Sequence, residues 1–368
     1  MMHRVTTTRT TAHEGDGAPR RVLHVVEKFS SGVGSAIAQY SRSLPSAEHF
    51  LLSTTAVDAE GDLADQAAFA GTYRMAGPVP AKIRRIRAVA AELRPDVVHA
   101  HSSHGGAYTR LALRRRRQPI VYTPHCYAFE RRDVARPTRA AFWGIEALLA
   151  RNTTVFAACA PREERLSRWP GSGARRVLVP NVAPVPAHLA QRTPGEPPVV
   201  VGGGRISPQK DPGYFAAVVA ELRRARPELR AVWLGDGEPD ARRALERAEV
   251  EVTGWLPRAA VLDRLAAADL YLHSARWEGF PLMVAEAVAL GVPTLVRPVP
   301  SFDDVPGELR PADPVAAALT CLADPAANVE RWRALLSGNT VESQSRALAE
   351  AYAAAVVPDS HPIGGGSR

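Results

Sequence analysis

The sequence predicts an α/β protein of two parallel-sheet domains facing each other across a cleft. Three observations carry this. The chain has 368 residues, too many for one ordinary domain and comfortable for two. Short apolar, strand-like runs alternate with helical patterns along both halves. A proline-dense stretch, APVPAHLAQRTPGEPP, interrupts the alternation at mid-chain.

The elements follow in order. Residues 1–19 are polar and residues 358–368 are rich in Gly, Pro and Ser; both read as disordered tails. The first domain, 20–183, opens with RVLHVV (21–26), a helix near 33–43 and HFLLSTT (49–55). A basic helix at 81–93, DVVHAH (96–101), a helix near 105–115 and IVYTPH (120–125) come next. A helix near 138–151, TVFAAC (154–159) and RRVLVPNV (175–182) complete it. After a linker at 184–197, the second domain, 198–339, has PVVVGGGR (198–205), a helix at 211–226, LRAVWLGDG (229–237) and a helix at 238–248. Then come VEVTGW (250–255), a helix at 258–267, DLYLHSA (269–275), a helix at 281–290, PTLVRP (293–298) and helices at 313–323 and 328–336. An Ala-rich helix at 340–357 is left over, free to pack back on the first domain. Such βα series give parallel sheets with right-handed crossovers, here two Rossmann-like domains.

Composition bounds the function. Hydrophobic residues at 46% and charged residues at 23% are those of a soluble globular protein. Cys126, Cys159 and Cys321 stand far apart, without metal spacing, which points to a reducing compartment and away from a zinc site. The N-terminus has no apolar stretch of a signal peptide, and no run approaches about 18 apolar residues, so a soluble, cytoplasmic protein is expected. The net charge of +8 is uneven: residues 1–190 hold 27 Lys+Arg against 15 Asp+Glu, and the remainder 19 against 23. A basic first half suits nucleic acid, anionic lipid or a phosphorylated substrate, and charge alone does not choose.

The most specific signal is WEGFPLMVAEA, 277–287. It follows an apolar strand and opens a helix, which puts Glu278 at the carboxyl edge of the sheet, where open α/β sheets bind ligands. Glu286, eight residues on, falls on the same side of the helix but deeper, among Met283, Val284, Ala285, Ala287 and Val288. A carboxylate in that setting needs a partner. The helix start offers free N–H groups around Phe280 to Leu282, suited to a phosphate or sugar hydroxyl, and Pro281 fits a first helical position.

The second signal is GGGRISPQKDP, 202–212. Glycines end a strand and let a backbone approach closely; Arg205 and Lys210 then supply two cations, a clamp for a diphosphate. Alone this is a basic turn; beside the Glu segment it reads as a site. The spacing is not that of a dinucleotide fingerprint, which argues against a dehydrogenase.

Together these segments resemble the retaining glycosyltransferases of family four (group 1), with their GT-B fold, Glu-x7-Glu motif and GR-x4-K loop. The resemblance runs from residue 21 to about 355. RVLHVVEKFSSGVGSAIAQYSRSL resembles the opening strand, Gly-rich loop and first helix; DVVHAHSSH, VYTPH, VPNV, WLGDGE and VTGWLP resemble further family segments. The opening loop has SGVG in place of paired glycines, and CYAFE follows His125 in place of the usual Gly.

The resemblance implies roles. Arg205 and Lys210 neutralise the donor diphosphate as the glycosidic bond breaks. Glu278 contacts the donor sugar's hydroxyls and Glu286 the ribose. Gly279, Phe280, Pro281 and Leu282 present backbone N–H groups, and Gly34, with Gly32, brings the first helix close. His125 reaches the donor sugar near the reacting carbon, and 252–256 lines the base pocket. Among the other histidines, His24 and His99 alternate into strands as structural residues, His101 and His104 stay open between structure and site, and Asn181 reads as a turn residue. No acidic metal pair sits at a strand end, Asp303-Asp304 lying in a loop, so cations and helix N-termini are expected in place of a metal, and no cofactor. No nucleophile is paired with a base, so no covalent intermediate is suggested. The resemblance implies retention by front-face attack.

The expected substrates are a nucleotide-sugar donor, UDP- or GDP-linked, and a carbohydrate, lipid-linked or small-molecule acceptor in polysaccharide or glycolipid synthesis. In the basic helix 81–93, Ile83, Ile86, Ala90 and Leu93 form one stripe, with Lys82, Arg84, Arg85 and Arg87 on other sides; Arg114 to Arg117 form a second cluster. These read as a solvated face or as a peripheral contact with an anionic membrane at the inner face of the cell membrane. Nucleic acid is not expected, since no aromatic residues interleave with the arginines. An idle nucleotide-sugar-binding protein and a nucleotide-sugar hydrolase or epimerase are the competing readings.

Overall fold

The computed structural model describes residues 19–54, 65, 67–185 and 196–356; the expected tails and most of the expected linker lie outside the described residues. Among the described residues there are two sheets. The first contains β1 (Arg21–Val25), β2 (Glu48–Ser53), β3 (Gly71–Arg74), β4 (Val97–His101), β5 (Ile120–Thr123), β6 (Val155–Ala158) and β7 (Arg175–Leu178), in the order β3-β2-β1-β4-β5-β6-β7. The second contains β8 (Val199–Gly203), β9 (Arg230–Leu234), β10 (Glu251–Val252), β11 (Leu270–His273) and β12 (Thr294–Val296), in the order β10-β9-β8-β11-β12. Every neighbouring pair is parallel.

Both orders reverse once, between β1 and β4 and between β8 and β11. At such a reversal successive crossovers leave to opposite faces, and a crevice opens beyond the carboxyl ends of the two strands. Four loops are thereby committed to a site: those after β1, β4, β8 and β11. The strands that carry them are apolar runs buried on both faces, β4 and β11 completely.

Among the described residues the α-helices with both ends described are α1 (Ser31–Ser43), α2 (Val79–Leu93), α3 (Ser102–Ala112), α4 (Arg136–Ala150), α5 (Pro161–Leu166), α6 (Pro212–Ala225), α7 (Pro239–Arg247), α8 (Arg258–Ala266), α9 (Leu282–Ala289), α10 (Pro314–Ala323), α11 (Ala326–Leu335) and α12 (Val341–Val356). Proline at a first or second position opens α2, α4, α5, α6, α7 and α10, where a missing N–H costs no bond. Several starts differ from expectation. α1, α2, α4 and α11 begin two residues early. α3 begins at Ser102, three early, because Ser102 turns directly out of β4 at φ 59°. Pro281 precedes α9 instead of opening it, with an extended ψ of 112°.

α12 leaves the second sheet's domain and packs on the first. Its Leu348, Ala351, Tyr352 and Ala355 join Val22, Val97, Val121 and Val155 in one buried cluster. Polar contacts fix its entry: Gln344 Nε2 donates to the Pro180 carbonyl at 2.8 Å and Ser43 Oγ donates to Gln344 Oε1 at 2.6 Å. Just before it, Asn339 Nδ2 donates to the Asn181 carbonyl at 3.0 Å. Asn181 also accepts from Tyr40 OH at 2.9 Å, so it ties three segments together and is more than a turn residue.

Candidate active site

The loop after β8 folds back over its own strand. A Cβ on Gly203 would stand 2.7 Å from Met283 Sδ of α9, and Gly204 has φ 114° with the Lys210 chain lying against it. The loop is then stitched to the loop after β11. Arg276 N–H donates to the Gln209 carbonyl at 2.9 Å, Gln209 Nε2 to the Trp277 carbonyl at 3.1 Å, and Ser274 Oγ to the Lys210 carbonyl at 2.5 Å. Asp211, in a left-handed conformation, caps α6 at Tyr214 N–H and pairs with Arg297 at 2.6 Å.

This stitching brings Lys210 Nζ into a direct ion pair with Glu278 Oε1. His273 Nε2 lies 3.6 Å from the same oxygen, its Nδ1 held by Tyr271 OH at 2.9 Å. Burial alone would raise the Glu278 carboxyl; the Lys210 ammonium and the His273 contact outweigh it and hold the group at about 2. Glu278 is therefore an ionised acceptor over the whole physiological range. Its backbone is fixed by Ser301, whose hydroxyl bridges Glu278 N–H and the Glu278 carbonyl at 3.1 and 2.7 Å.

Glu286 is buried in α9, and burial raises its carboxyl while Arg258 opposes the rise. The Arg258 guanidinium touches Glu286 Oε1 at 2.6 Å, off hydrogen-bonding geometry, which makes it an ion contact and leaves that oxygen without a directed donor. Arg205 does not join the Lys210–Glu278 pair. It is exposed, its guanidinium 5.0 Å from the Trp255 ring centre, at the rim of a cavity of about 640 Å³ lined also by Ile206, Asp236, Glu238 and Arg242.

The opposite wall comes from the first sheet. His125 and Cys126, just beyond β5, both have positive φ, 51° and 91°. This turn is held by Glu163 of α5, whose two oxygens accept from Cys126 N–H at 2.8 Å and Cys159 N–H at 3.1 Å. Burial pushes the Glu163 carboxyl up to about 6 against these two donors. Gly279 presses on the turn: its missing Cβ would stand 2.8 Å from Cys126 N. His125 Nε2 meets His101 Nδ1 at 3.1 Å, and burial lowers the His125 ring to about 3, so the ring is neutral.

Gly34 lies in the first turn of α1, against Phe29, and α1 touches α9 across the crevice. Ser35, Gln39 and Arg42 of α1 line a small cavity of about 160 Å³ with Arg258 and Leu282. At the same edge, Glu27 pairs with Lys82 and with His104, each at 2.8 Å, and accepts from Tyr108 OH at 3.0 Å. His104 is thus an exposed partner of Glu27. Phe280 is half-buried and Pro281 and Leu282 are buried between the two walls.

Sequence reasoning missed Arg258, Glu163 and Glu27. Arg258 could have been found, since a buried Glu286 demanded a cation and VTGWLPR ends in one. Asp303 and Asp304 pair with Arg162 and Arg165 of α5, at 3.7 and 2.7 Å, so they join the two domains. His24, His99 and His101 bring ligand atoms within 4.8 Å of one another. Their six ring nitrogens, however, all have hydrogen-bond partners already, which leaves no lone pair for a common centre.

Comparison with known proteins agrees with this architecture. Residues 31–182 match the model described as "Glycosyl transferase 4-like domain", and residues 197–338 the one described as "Glycosyl transferases group 1". The D-inositol 3-phosphate glycosyltransferase of Xylanimonas cellulosilytica is 31% identical over 261 residues, 61% of this chain and 62% of that protein. The UDP-Gal:alpha-D-GlcNAc-diphosphoundecaprenol alpha-1,3-galactosyltransferase of Escherichia coli is 26% identical over 225 residues, 55% of this chain and 57% of that protein. The chain thus spans about three fifths of the length of these two relatives. Anabaena HepE in complex with UDP-glucose superposes with a TM-score of 0.71 at 16% identity, over 90% of this chain and 98% of that one, which shows the shared fold. With both halves matched in tandem and two parallel sheets set as in that neighbour, the chain belongs to the group 1 glycosyltransferases of the GT-B fold.

Proposed function

We propose that the protein transfers a hexosyl unit, with retention, from a uridine or guanosine diphosphate sugar to an acceptor in polysaccharide or glycolipid assembly. The observation that carries this reading is the Lys210–Glu278 pair at the carboxyl edge of the second sheet, facing the His125 turn of the first. Lys210 offers a fixed positive charge to the diphosphate as its bond to the sugar breaks, and Glu278, ionised, accepts from sugar hydroxyls. Arg205, on the rim beside Trp255, meets the nucleotide end of the donor. Glu286 holds Arg258 at the rim of the small cavity and accepts from the ribose. The reaction needs no metal on this reading.

The test is a thermal-shift panel of uridine, guanosine, adenosine and cytidine diphosphates. One or two are expected to raise the melting temperature, with most of the effect lost in Lys210→Ala and in Arg205→Ala. No stabilisation by any of them would remove the donor assignment.

A lipid-linked acceptor at an anionic membrane is the finer part of the proposal, with a docking face other than the basic helix 81–93. In α2 the stripe of Ile86, Val89, Ala90 and Leu93 is buried, Lys82 is paired with Glu27, and Arg87 is bound to the Ala112 carbonyl at 2.7 Å. Several exposed apolar side chains lie on α4, Trp143 (52%), Ile145 (51%) and Leu148 (65%), with Leu111 (52%) of α3. The Arg114–Arg117 turn sits at the C-terminal end of α4, tied there by Asn152. An apolar face rimmed by arginines suits an anionic interface. Among the described residues no helix is long and apolar enough to cross a membrane. Co-sedimentation with phosphatidylglycerol vesicles, lost in Trp143→Ala/Leu148→Ala and at high salt, is the expected result.

A further inference from the structure

We infer that the tautomer of His125 is dictated from the far side of the first sheet, through a one-way file of imidazoles that ends on the Leu44 carbonyl. The argument starts at that end. His49 Nε2 lies 2.9 Å from the Leu44 oxygen, and a carbonyl can only accept, so His49 carries its proton on Nε2. Its Nδ1 is then a bare lone pair, and His24 Nε2, 2.9 Å away, must donate to it. His24 Nδ1 in turn accepts from His101 Nε2 at 3.0 Å, and His101 Nδ1 accepts from His125 Nε2 at 3.1 Å. Each step follows only if every ring is neutral with a single proton. Burial supplies that condition, since it lowers all four rings, His24 and His101 furthest.

A neighbouring ring obeys the same rule from another carbonyl. Thr123 Oγ1 donates to the Ala157 carbonyl at 2.7 Å, so it accepts from His99 Nε2 at 2.9 Å. His99 Nδ1 is left to accept from Tyr352 OH of α12, also at 2.9 Å.

The consequence lies at the open end. The His125 proton is committed to His101, and Nδ1 makes no hydrogen bond among the described residues. Towards a hydroxyl in the crevice His125 is therefore an acceptor and never a donor. The file cannot carry a proton away, because its last member is a carbonyl with no proton to pass on and no capacity to keep one. It orients. His101, His24 and His49 are positioning residues for His125, and this rests on the reading of His125 as a residue that faces the donor sugar.

The test uses the full chain labelled with 15N-histidine, read by ring-nitrogen NMR, in the wild type, His49→Leu and His49→Gln. Gln carries an acceptor and a donor in the same order as the ring it replaces. His125 is expected as the Nε2–H tautomer in the wild type and in His49→Gln, and as a mixture in His49→Leu. Release of nucleoside diphosphate from UDP-glucose or GDP-mannose should fall about tenfold in kcat for His49→Leu, with donor KM within about twofold, and recover in His49→Gln. A proton on His125 Nδ1 in the wild type would overturn the inference, even if His49→Leu failed to fold. So would an unchanged His125 signal in folded His49→Leu, or one equivalent of zinc(II) bound by His24, His99 and His101 on titration. Absence of turnover with intact tautomer signals would instead sink the proposed activity.

Discussion

A Cβ on Gly279 would stand 2.9 Å from the carbonyl carbon of His125 and 2.8 Å from the amide nitrogen of Cys126. The two loops belong to opposite sheets, so the domains meet here backbone to backbone, with no side chain between them. Gly279→Ala must push the walls apart by several tenths of an ångström. We expect kcat to fall on the order of 100-fold, with a melting temperature changed by only a few degrees. Steady-state kinetics beside a thermal melt decides it; wild-type turnover would mean the contact is idle.

Lys210 is the counter-charge that keeps Glu278 ionised in a buried place. Replacing it by Met strands a carboxylate, at a cost of about 2 kcal/mol once the partial exposure of the pair is allowed for. The double variant Lys210→Met/Glu278→Gln should recover much of this, because the stranded charge is gone. Urea unfolding of Lys210→Met, Glu278→Gln and the double variant measures the coupling, and additive losses would deny it.

Glu163 fixes the His125–Cys126 turn through two N–H groups of different loops. Glu163→Ala releases both, and two non-glycine residues at positive φ then lose the acceptor that fixes their backbone. The expected signature is a fall in kcat of about tenfold or more with nucleoside diphosphate affinity nearly unchanged, since on the proposed function the nucleotide sits on the second domain. Equal losses in both would point to general unfolding.

Acid should destabilise the fold early. The His125 ring titrates at about 3 when folded and near 6.5 when free, and burial lowers His24, His49, His99 and His101 as well. Below pH 6.5 the unfolded chain takes up protons that the folded one refuses, so stability is full above that pH and falls as the pH drops towards 3. Each ring contributes up to about 1.4 kcal/mol per pH unit in that window. Glu163, raised to about 6 from 4.5, works weakly the other way. Melting temperatures from pH 8 to 5 should drop steeply, and less steeply in His24→Leu/His49→Leu.

α12 supplies the first domain with part of its core. Leu348 is wholly buried there, and Leu348→Ala should cost about 2–5 kcal/mol. If the loss fell below about 1 kcal/mol, the helix would be a loosely applied cover.

Much of this was legible before the structure, and the reasons are particular. Lys210 and Glu278 sit in segments whose composition changes abruptly at a strand end, which is what a site at a sheet's carboxyl edge requires. Arg258 was harder, because the partner of a buried Glu286 arrives from a different βα loop and nothing in local spacing points to it. The histidine file was invisible for a deeper reason. His24, His49, His99 and His101 are ordinary alternating residues of three strands, and only the order β2-β1-β4 sets those strands side by side. The exposed apolar residues of α4 were missed because periodicity finds an apolar stripe without telling which one the fold covers. α2 and α4 differ in what packs on them, not in pattern.

Among the described residues the chain passes between domains twice, between residues 185 and 196 and again before α12. Asn339 binds the Asn181 carbonyl and Gln344 the Pro180 carbonyl, so the second crossing is laid directly on the first. A single tether would let the halves swing in any direction; two tethers fastened together act as a door hinge with one axis. On the proposed activity, opening for nucleotide exchange would turn about the 180–181/339–344 seam.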